Sequence, residues 1–399
     1  MKKFMLAASV LALGTMSFSL AAQAQDAVKV GVLTDMSSIY ADISGEGSVK
    51  AVQLAIEDVG GSLLGKPIEV VSADHQNKAD IGTNIARQWY DLDGVSAILD
   101  VNNSAVAFGV GQIAEEKKEL ALFVGAASTE LTGQYCNAYS AQWLYDTYSV
   151  VAGTVSALQD AGVKSWYFIT ADYAFGHSLE DEARKLIEAS NGDIRGAVRV
   201  PIGTTDYASF LLQAQASGAE VIALALSGAD LVNVIKQGSE FGITESGQKF
   251  AGLQVTEANI HTLGPAAAGG IQFSSPFYWD LNDETRAFSA RFEEVHGRPP
   301  TMMQAGVYSA AHHYFKAVEA AGTTEADAVM AKMHELPIND FMSKDVQLRV
   351  DNRAIRDVHL FQAKNASEST AEWDIYQLLS TTSGDVATRA LNDACKLVQ

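Results

Sequence analysis

The sequence predicts an α/β protein of two doubly wound lobes, each a parallel sheet with helices on both faces. Three observations carry this. Short apolar strands alternate with amphipathic helical stretches from Val28 onward. The alternation lapses after the fourth strand and then restarts. Removal of a 24-residue leader leaves 375 residues, more than one ordinary domain holds.

The elements follow in order. Val28–Leu33 reads as a strand, and Val49, Val52 and Ile56 mark one face of a helix. Ile68–Val71 is a strand, and Ile85 and Trp89 belong to the next helix. Val95–Leu99, a helix over about 106–118 and Leu120–Val124 complete a βαβαβαβ run, which implies a parallel sheet. Val151, Val155 and Leu158 then open a second unit, with strands at Trp166–Ile169, Ile194–Val200 and Val221–Leu226. Helices between them carry Leu179, Ala183 and Leu186, then Phe210–Ala214; Leu231, Val234 and Ile235 mark another after them. Near Gly270–Trp279 the chain changes lobe again, and a long helix carrying Tyr308, His312 and Phe315 follows Pro299-Pro300. Gln347–Val350, the turn Asp351-Asn352-Arg353 and Val358–Phe361 read as a late hairpin. Several short crossings without a low-complexity linker favour a hinge.

The N-terminus sets the compartment. Lys2-Lys3 precede an apolar Phe4–Leu20 run, and Ala22-Gln23-Ala24 is a processing site. The expected product is a soluble, exported protein that starts at Gln25. Losing Lys2 and Lys3 moves the formal charge from −20 to −22. So acidic a chain excludes nucleic acid and anionic membrane as partners. Cys136 and Cys395 are the only cysteines. In an oxidising compartment an even count implies pairing, the alternative being two buried thiols.

Two strand ends stand out. Asn102-Asn103-Ser104-Ala105 and Gly125-Ala126-Ala127-Ser128-Thr129 are small, hydroxyl-bearing turns after neighbouring strands. Ligands of open parallel sheets bind outside such ends. Ser104 and Ser128 would hold a carboxylate with help from helix N-terminal N–H groups, or would serve as ordinary N-caps. Both readings stay open from the residues alone. Aromatic residues gather at strand ends and crossings: Tyr40, Trp143, Tyr145, Tyr173, Phe175, Tyr278 and Trp279. As a set they suit an enclosed apolar ligand. There is no G-x-S-x-G, Walker loop or H-E-x-x-H, and adjacent His312-His313 cannot form an i, i+4 metal pair. The expectation is a binding protein, not an enzyme, with no cofactor and no metal.

Longer motifs add a resemblance. Val30-Gly31-Val32-Leu33-Thr34-Asp35-Met36-Ser37, Gly60-Gly61, Gly65-Lys66-Pro67-Ile68, the Ser104 turn, Ala126-Ala127-Ser128 with Glu130-Leu131-Thr132, and Asp172 to Gly176 carry it. The chain resembles a type I periplasmic solute-binding protein of an ABC importer, within the leucine/isoleucine/valine-binding family. The resemblance implies two Rossmann-like lobes joined by a three-crossing hinge that closes on a ligand. The expected division is lobe one at 25–142 and 276–342, lobe two at 143–275 and 343–372, and a tail at 373–399 returning to lobe one. Ser104, the Ala126 backbone and Ser128 match the family's carboxylate donors, and Phe175 matches an enclosing aromatic. Tyr40, Tyr145 and Tyr278 are expected to enclose the ligand too. Gln254 falls near the acidic residue that takes an amino acid's α-ammonium, with Glu257 close by.

Leu131-Thr132-Gly133 with Cys136, Trp143 to Tyr148, Ile169 to His177 and Phe277 to Asn282 are similar to a subgroup linked to aromatic acids. A late cysteine fits that subgroup and supports the Cys136–Cys395 bridge. The expectation is a monomer that delivers a benzoate- or phenylpropanoid-type acid to a membrane permease. The alternatives are an amino acid-binding protein of the same family and a ligand-sensing domain for a receptor.

Overall fold

The computed structural model describes residues 27–399. The expected leader, with its processing site, lies outside the described residues. The first lobe holds β1 (Val28–Thr34), α1 (Gly45–Asp58), β2 (Ser62–Leu63), β3 (Lys66–Asp74), α2 (Ala79–Gln88), β4 (Val95–Asp100), α3 (Ser104–Lys117), β5 (Leu120–Phe123) and β6 (Ser140–Gln142). The second holds α4 (Thr147–Asp160), β7 (Ser165–Ala171), α5 (Ala174–Ala189), β8 (Asp193–Val200), α6 (Ala208–Ala216), β9 (Val221–Ala225), α7 (Gly228–Glu240), β10 (Lys249–Gly252), α8 (Glu257–Leu263), α9 (Pro265–Ala268) and β11 (Gln272–Ser275). The chain then returns through α10 (Asp283–His296), α11 (Met302–Ala321), α12 (Ala326–Glu335), β12 (Ile338–Asp340) and β13 (Ser343–Val346). It ends with β14 (Val358–Ala363), β15 (Tyr376–Thr382) and α13 (Gly384–Ala387).

The sheet of lobe one runs β2-β3-β1-β4-β5-β6, and that of lobe two runs β10-β9-β7-β8. All neighbours are parallel except β2 with β3. In each sheet the first strand of the unit has later strands on both sides. That is the switch point at which loops diverge and leave a crevice. Alternate residues of β7 enter different cores: Trp166 and Phe168 face one buried cluster, Tyr167 and Ile169 the other. The first cluster runs from lobe one through Trp143, Leu144, Tyr145 and Phe277 into lobe two, so one apolar core passes through the hinge.

Three pairings differ from the expectations. Residues 347–350 do not pair with β14. They close a tight turn in which Leu348 bridges Ala354, while β14 lies between β11 and β15 in an antiparallel sheet. The expected boundary at 342/343 cuts the β12–β13 hairpin, so the third crossing begins after Val346. The tail turns back later than expected, because Tyr376–Thr382 is already used as β15. Non-local antiparallel partners of short strands leave no periodic mark in the sequence.

Beyond β15 the tail reaches lobe one. Cys395 is disulfide-bonded to Cys136. Arg389 donates to the Thr129 carbonyl, and Lys396 pairs with Glu115. The first and third crossings are braced by two buried arginines. Arg353 faces Asp146 at 3.4 Å, while Asp146 caps α4. Arg356 donates to the Trp143 carbonyl at 3.0 Å and lies over the Trp143 ring.

The lobes also meet across the cleft. The Ala229 N–H donates to the Ile39 carbonyl at 3.0 Å. Beside it Gly228 has φ +58°, and a Cβ there would lie 2.2 Å from the Ile39 oxygen. Glycine is therefore required twice, by conformation and by contact. Glu257, 1 % exposed, accepts from the Met302 N–H at 3.1 Å, joining α8 to α11. Burial pushes its carboxyl up to about 8.

Two expectations follow. Gly228→Ala is expected to hold the lobes apart; small-angle scattering then gives a larger radius of gyration than wild type, and an unchanged radius contradicts the contact. Glu257 binds its proton more tightly folded than unfolded, where a glutamate titrates near ~4.3. Its stabilisation is complete below that value and is lost as pH rises toward about 8. Melting curves of Glu257→Gln and wild type are expected to coincide near pH ~4 and separate by about 8, with the variant higher; parallel curves contradict the assignment.

Candidate ligand-binding site

The carboxyl ends of β1, β4, β5, β7 and β9 converge between the lobes. Tyr40 and Ile43 follow β1, Asn102 and Ser104 follow β4, and Gly125 follows β5. Tyr173 and Phe175 follow β7, Ser227 follows β9, Tyr145 comes from the first crossing and Met303 from α11. These residues line one closed cleft. Their side chains nearly fill it, leaving about 10 Å³, because the Tyr40 and Tyr173 hydroxyls hydrogen-bond across it. Burial raises the pKa of both phenols, so both are neutral donors at physiological pH. Larger grooves lie on the outside. One of them, about 670 Å³ and lined by Glu284, Arg291, Tyr308 and Lys344, is open to solvent and draws no residue from the strand ends. A parallel-sheet protein places its ligand at the switch points, so the small cleft is the candidate site.

The two serine turns separate in role. Asn103, not Ser104, caps α3: its Oδ1 accepts from the Ala105 and Val106 N–H groups at 3.0 and 3.2 Å. Ser104 Oγ instead accepts from the Ser128 N–H at 3.2 Å. That leaves its own proton to donate into the cleft. Ser128 behaves as a cap: its Oγ accepts from the Glu130 N–H at 3.3 Å at the start of a 3-10 turn, Thr129–Thr132. Ser128 is absent from the cleft lining, and so is Ala126, which packs with Val101 and Leu131 beneath α3.

The enclosing residues divide similarly. Tyr40, Tyr145 and Phe175 line the cleft; Tyr145 donates to the Gly125 carbonyl at 3.2 Å. Tyr278 does not line it. Its hydroxyl donates to the Trp373 carbonyl at 2.7 Å, and its ring stacks on Tyr376 in the core of lobe two. This aromatic serves the β11-β14-β15 sheet, whose partners are distant in sequence. Gln254, 0 % exposed, stands one bond behind the wall: its Oε1 accepts from the Ser227 hydroxyl, and its Nε2 has no partner among the described atoms.

Asn102 and Gly125 belong to the two turns that stand out in the sequence, and Tyr173 to its aromatic set, whereas Ser227, Ile43 and Met303 are wall residues with no expected role. Ser227 carries the same signal as Ser104, a small polar residue closing an apolar strand. Met303 arrives from a helix far along the chain and carries no local signal. Among the described residues no group of histidine, cysteine, aspartate or glutamate has a metal-binding arrangement. No helix of the described residues is long and apolar enough to cross a membrane.

A family model described as "Periplasmic binding protein" matches residues 27–369. The chain is similar to a solved periplasmic binding protein from Burkholderia mallei, with 40 % identity, TM-score 0.91, and 94 % of this chain and all of that one covered. It is also similar to a branched chain amino acid ABC transporter periplasmic ligand-binding protein from Burkholderia xenovorans, with 41 % identity, TM-score 0.80, and 90 % and 96 % covered. A Leu/Ile/Val-binding protein homolog of Brucella melitensis is 25 % identical over 321 residues, covering 76 % of this chain and 80 % of that protein. The fold alone is shared with a Rhodopseudomonas palustris solute-binding protein in complex with benzoate, at 21 % identity and TM-score 0.81. It is shared equally with a leucine-binding protein from Thermotoga maritima, at 19 % identity and TM-score 0.78. The chain belongs to the periplasmic binding protein family, type I, alongside the Leu/Ile/Val-binding proteins.

Proposed function

We propose that this protein is an exported receptor that captures a small carboxylate with an aromatic body and no α-ammonium. Closure of its lobes then presents the acid to the permease of an ABC importer. The observation that carries the ligand class is the lining of the cleft. It holds three tyrosines, a phenylalanine, an isoleucine and a methionine, with Asn102, Ser104, Gly125 and Ser227, and no carboxylate. Asp35, Asp100 and Asp230 act on the lining tyrosines from behind the wall, but none of them lines the cleft, so an ammonium group desolvated there would have no carboxylate in direct contact, at a cost of several kcal/mol. A carboxylate finds a donor at the Ser104 hydroxyl, and the positive end of the α3 dipole favours its charge. The net charge of −20 repels anions in general, so the holding force is local.

Entry of a ring requires Tyr40 and Tyr173 to part, and their hydroxyls then become free to bond the ligand. Closure is a population shift toward the state in which Phe175 and Ser227 of lobe two also touch it. The complex of a relative with benzoate supports this ligand class, while the leucine-binding relative keeps amino acids as the rival. One observation favours the rival: Glu257 is a buried carboxyl only three residues from Gln254. Its Oε2 accepts from the Met302 N–H and its Oε1 has no partner among the described atoms, but it does not line the cleft, and the groups it influences are Tyr278 and Tyr376, outside it.

A thermal-shift panel is expected to find stabilisation by benzoate, 4-hydroxybenzoate or 3-phenylpropanoate. Stabilisation by leucine or valine alone would overturn the ligand class. By titration calorimetry, Ser104→Ala is expected to weaken the acid by about 1.5–3 kcal/mol, the worth of a charge-assisted hydrogen bond, and Ser128→Ala by much less. Equal losses would return Ser104 to a structural role. Gln254→Glu is expected to weaken the acid by repulsion and to raise affinity for the amino acid of the same body; no change in either places residue 254 outside recognition.

A further inference from the structure

Asn102 lines the cleft beside Ser104 and is 5 % exposed. Its Oδ1 accepts from the Asp35 backbone N–H at 2.9 Å, which sets the plane of the amide. Its Nδ2 has no hydrogen-bond partner among the described atoms. A buried donor left without a partner is costly, and native proteins leave few. The turn is built to hold it there. Asp100 and Val101, immediately before it, have φ of +78° and +52°, left-handed values that non-glycine residues adopt only under constraint. From the other side Gly125 presses on it so closely that a Cβ would lie 2.6 Å from the Asn102 Cβ.

The titratable neighbours do not use this donor. Asp35 accepts from Ser37, Ser38, Tyr40 and Asn77. Asp100 Oδ2 accepts from the Ser48 hydroxyl at 2.8 Å, and its Oδ1, on the Gly125 side, makes no hydrogen bond with the Asn102 amide. The His75 ring lies against the Asn102 amide, but burial pushes it down to about 4, so it is neutral. Its Nδ1 accepts from the Asn77 N–H at 3.1 Å, which leaves Nε2 carrying the proton, a donor and not an acceptor. Of the cleft tyrosines, Tyr145 donates to the Gly125 carbonyl, and the Tyr40 and Tyr173 hydroxyls bond each other.

We propose that the Asn102 amide N–H₂ is the second carboxylate donor of the cleft, paired with the Ser104 hydroxyl, in the role that family resemblance gives to Ser128. The proposal rests on the cleft being a carboxylate site. Two donors from one rigid turn fit the two oxygens of a carboxylate. They discriminate against the corresponding primary amide, which offers one acceptor and brings N–H groups of its own.

The test is titration calorimetry of the full mature chain with benzoate and benzamide, repeated with leucine. Asn102→Asp keeps the acceptor for the Asp35 N–H and exchanges only the N–H₂ for oxygen. It is expected to lose benzoate affinity by roughly 10- to 100-fold at pH ~7.5, the scale of a charge-assisted hydrogen bond and added repulsion. The ratio to wild type is expected to narrow toward pH ~5, as a protonated aspartate donates again. A purely structural role would not produce that narrowing. Asn102→Ser, which removes the donor without adding charge, gives the same comparison if Asn102→Asp does not fold, with about tenfold expected. Wild-type affinity for benzoate in either variant, or a loss that is the same at both pH values in the aspartate variant, overturns the proposal. If wild type binds leucine and not benzoate, the aromatic-acid reading fails, and the same variants test Asn102 on the leucine carboxylate. Binding of neither overturns both.

Discussion

The bend at the end of β4 is the constraint on which the site depends. Asp100 and Val101 sit consecutively in left-handed conformations, which cost on the order of 1–3 kcal/mol each for residues with a side chain. Hydrogen bonds on several sides hold them. The Val101 N–H donates to the Leu33 carbonyl at 3.0 Å, and the Val124 N–H donates to the Asp100 carbonyl at 2.9 Å. Ser48 holds the Asp100 carboxyl, which burial pushes up to about 6. The bend turns the chain abruptly out of the sheet. Asn102, Asn103 and Ser104 then present an amide, a helix cap and a hydroxyl within one turn. A relaxed exit would carry these groups past the cleft.

Around that turn the fold assembles the rest of the wall by topology. Both sheets place their switch points toward each other, so five strand ends meet with few intervening residues. The closed arrangement is held by the close approach of Gly228 to the Ile39 carbonyl, by the Tyr40–Tyr173 and Glu257–Met302 hydrogen bonds, and by a hinge whose crossings share a core and two buried arginines. Arg353 has Asp146 as its charge partner. Removal of one member of such a buried pair strands the other in the core, so the pair ties the first crossing to the third.

Much of the architecture was legible because helices and parallel buried strands mark themselves locally, by 3.6-residue stripes and by short apolar runs. The β12–β13 hairpin and the β11-β14-β15 sheet were not, since their partners are set by tertiary contact between distant segments. The site follows the same division. Tyr40, Ser104, Tyr145 and Phe175 stand next to recognisable strand ends or crossings, and the structure brings all four into one cleft. Ser128 and Tyr278 have equally suggestive neighbourhoods, yet one caps a turn and the other supports a remote sheet. Composition cannot separate a cap from a ligand donor; only the direction of the free hydrogen-bonding atom does. That is why the sequence marks the turn holding Asn102 but not the amide itself, whose lack of a partner only the structure reveals.

The central claim is that the cleft has donors for a carboxylate and no carboxylate in its lining to meet an ammonium. The most direct measurement is calorimetric affinity for a matched pair, 3-phenylpropanoate and phenylalanine, which differ only by the α-amino group. The account predicts that the acid binds at least roughly 100-fold more tightly, about 2.7 kcal/mol. Equal or tighter binding of phenylalanine would contradict it.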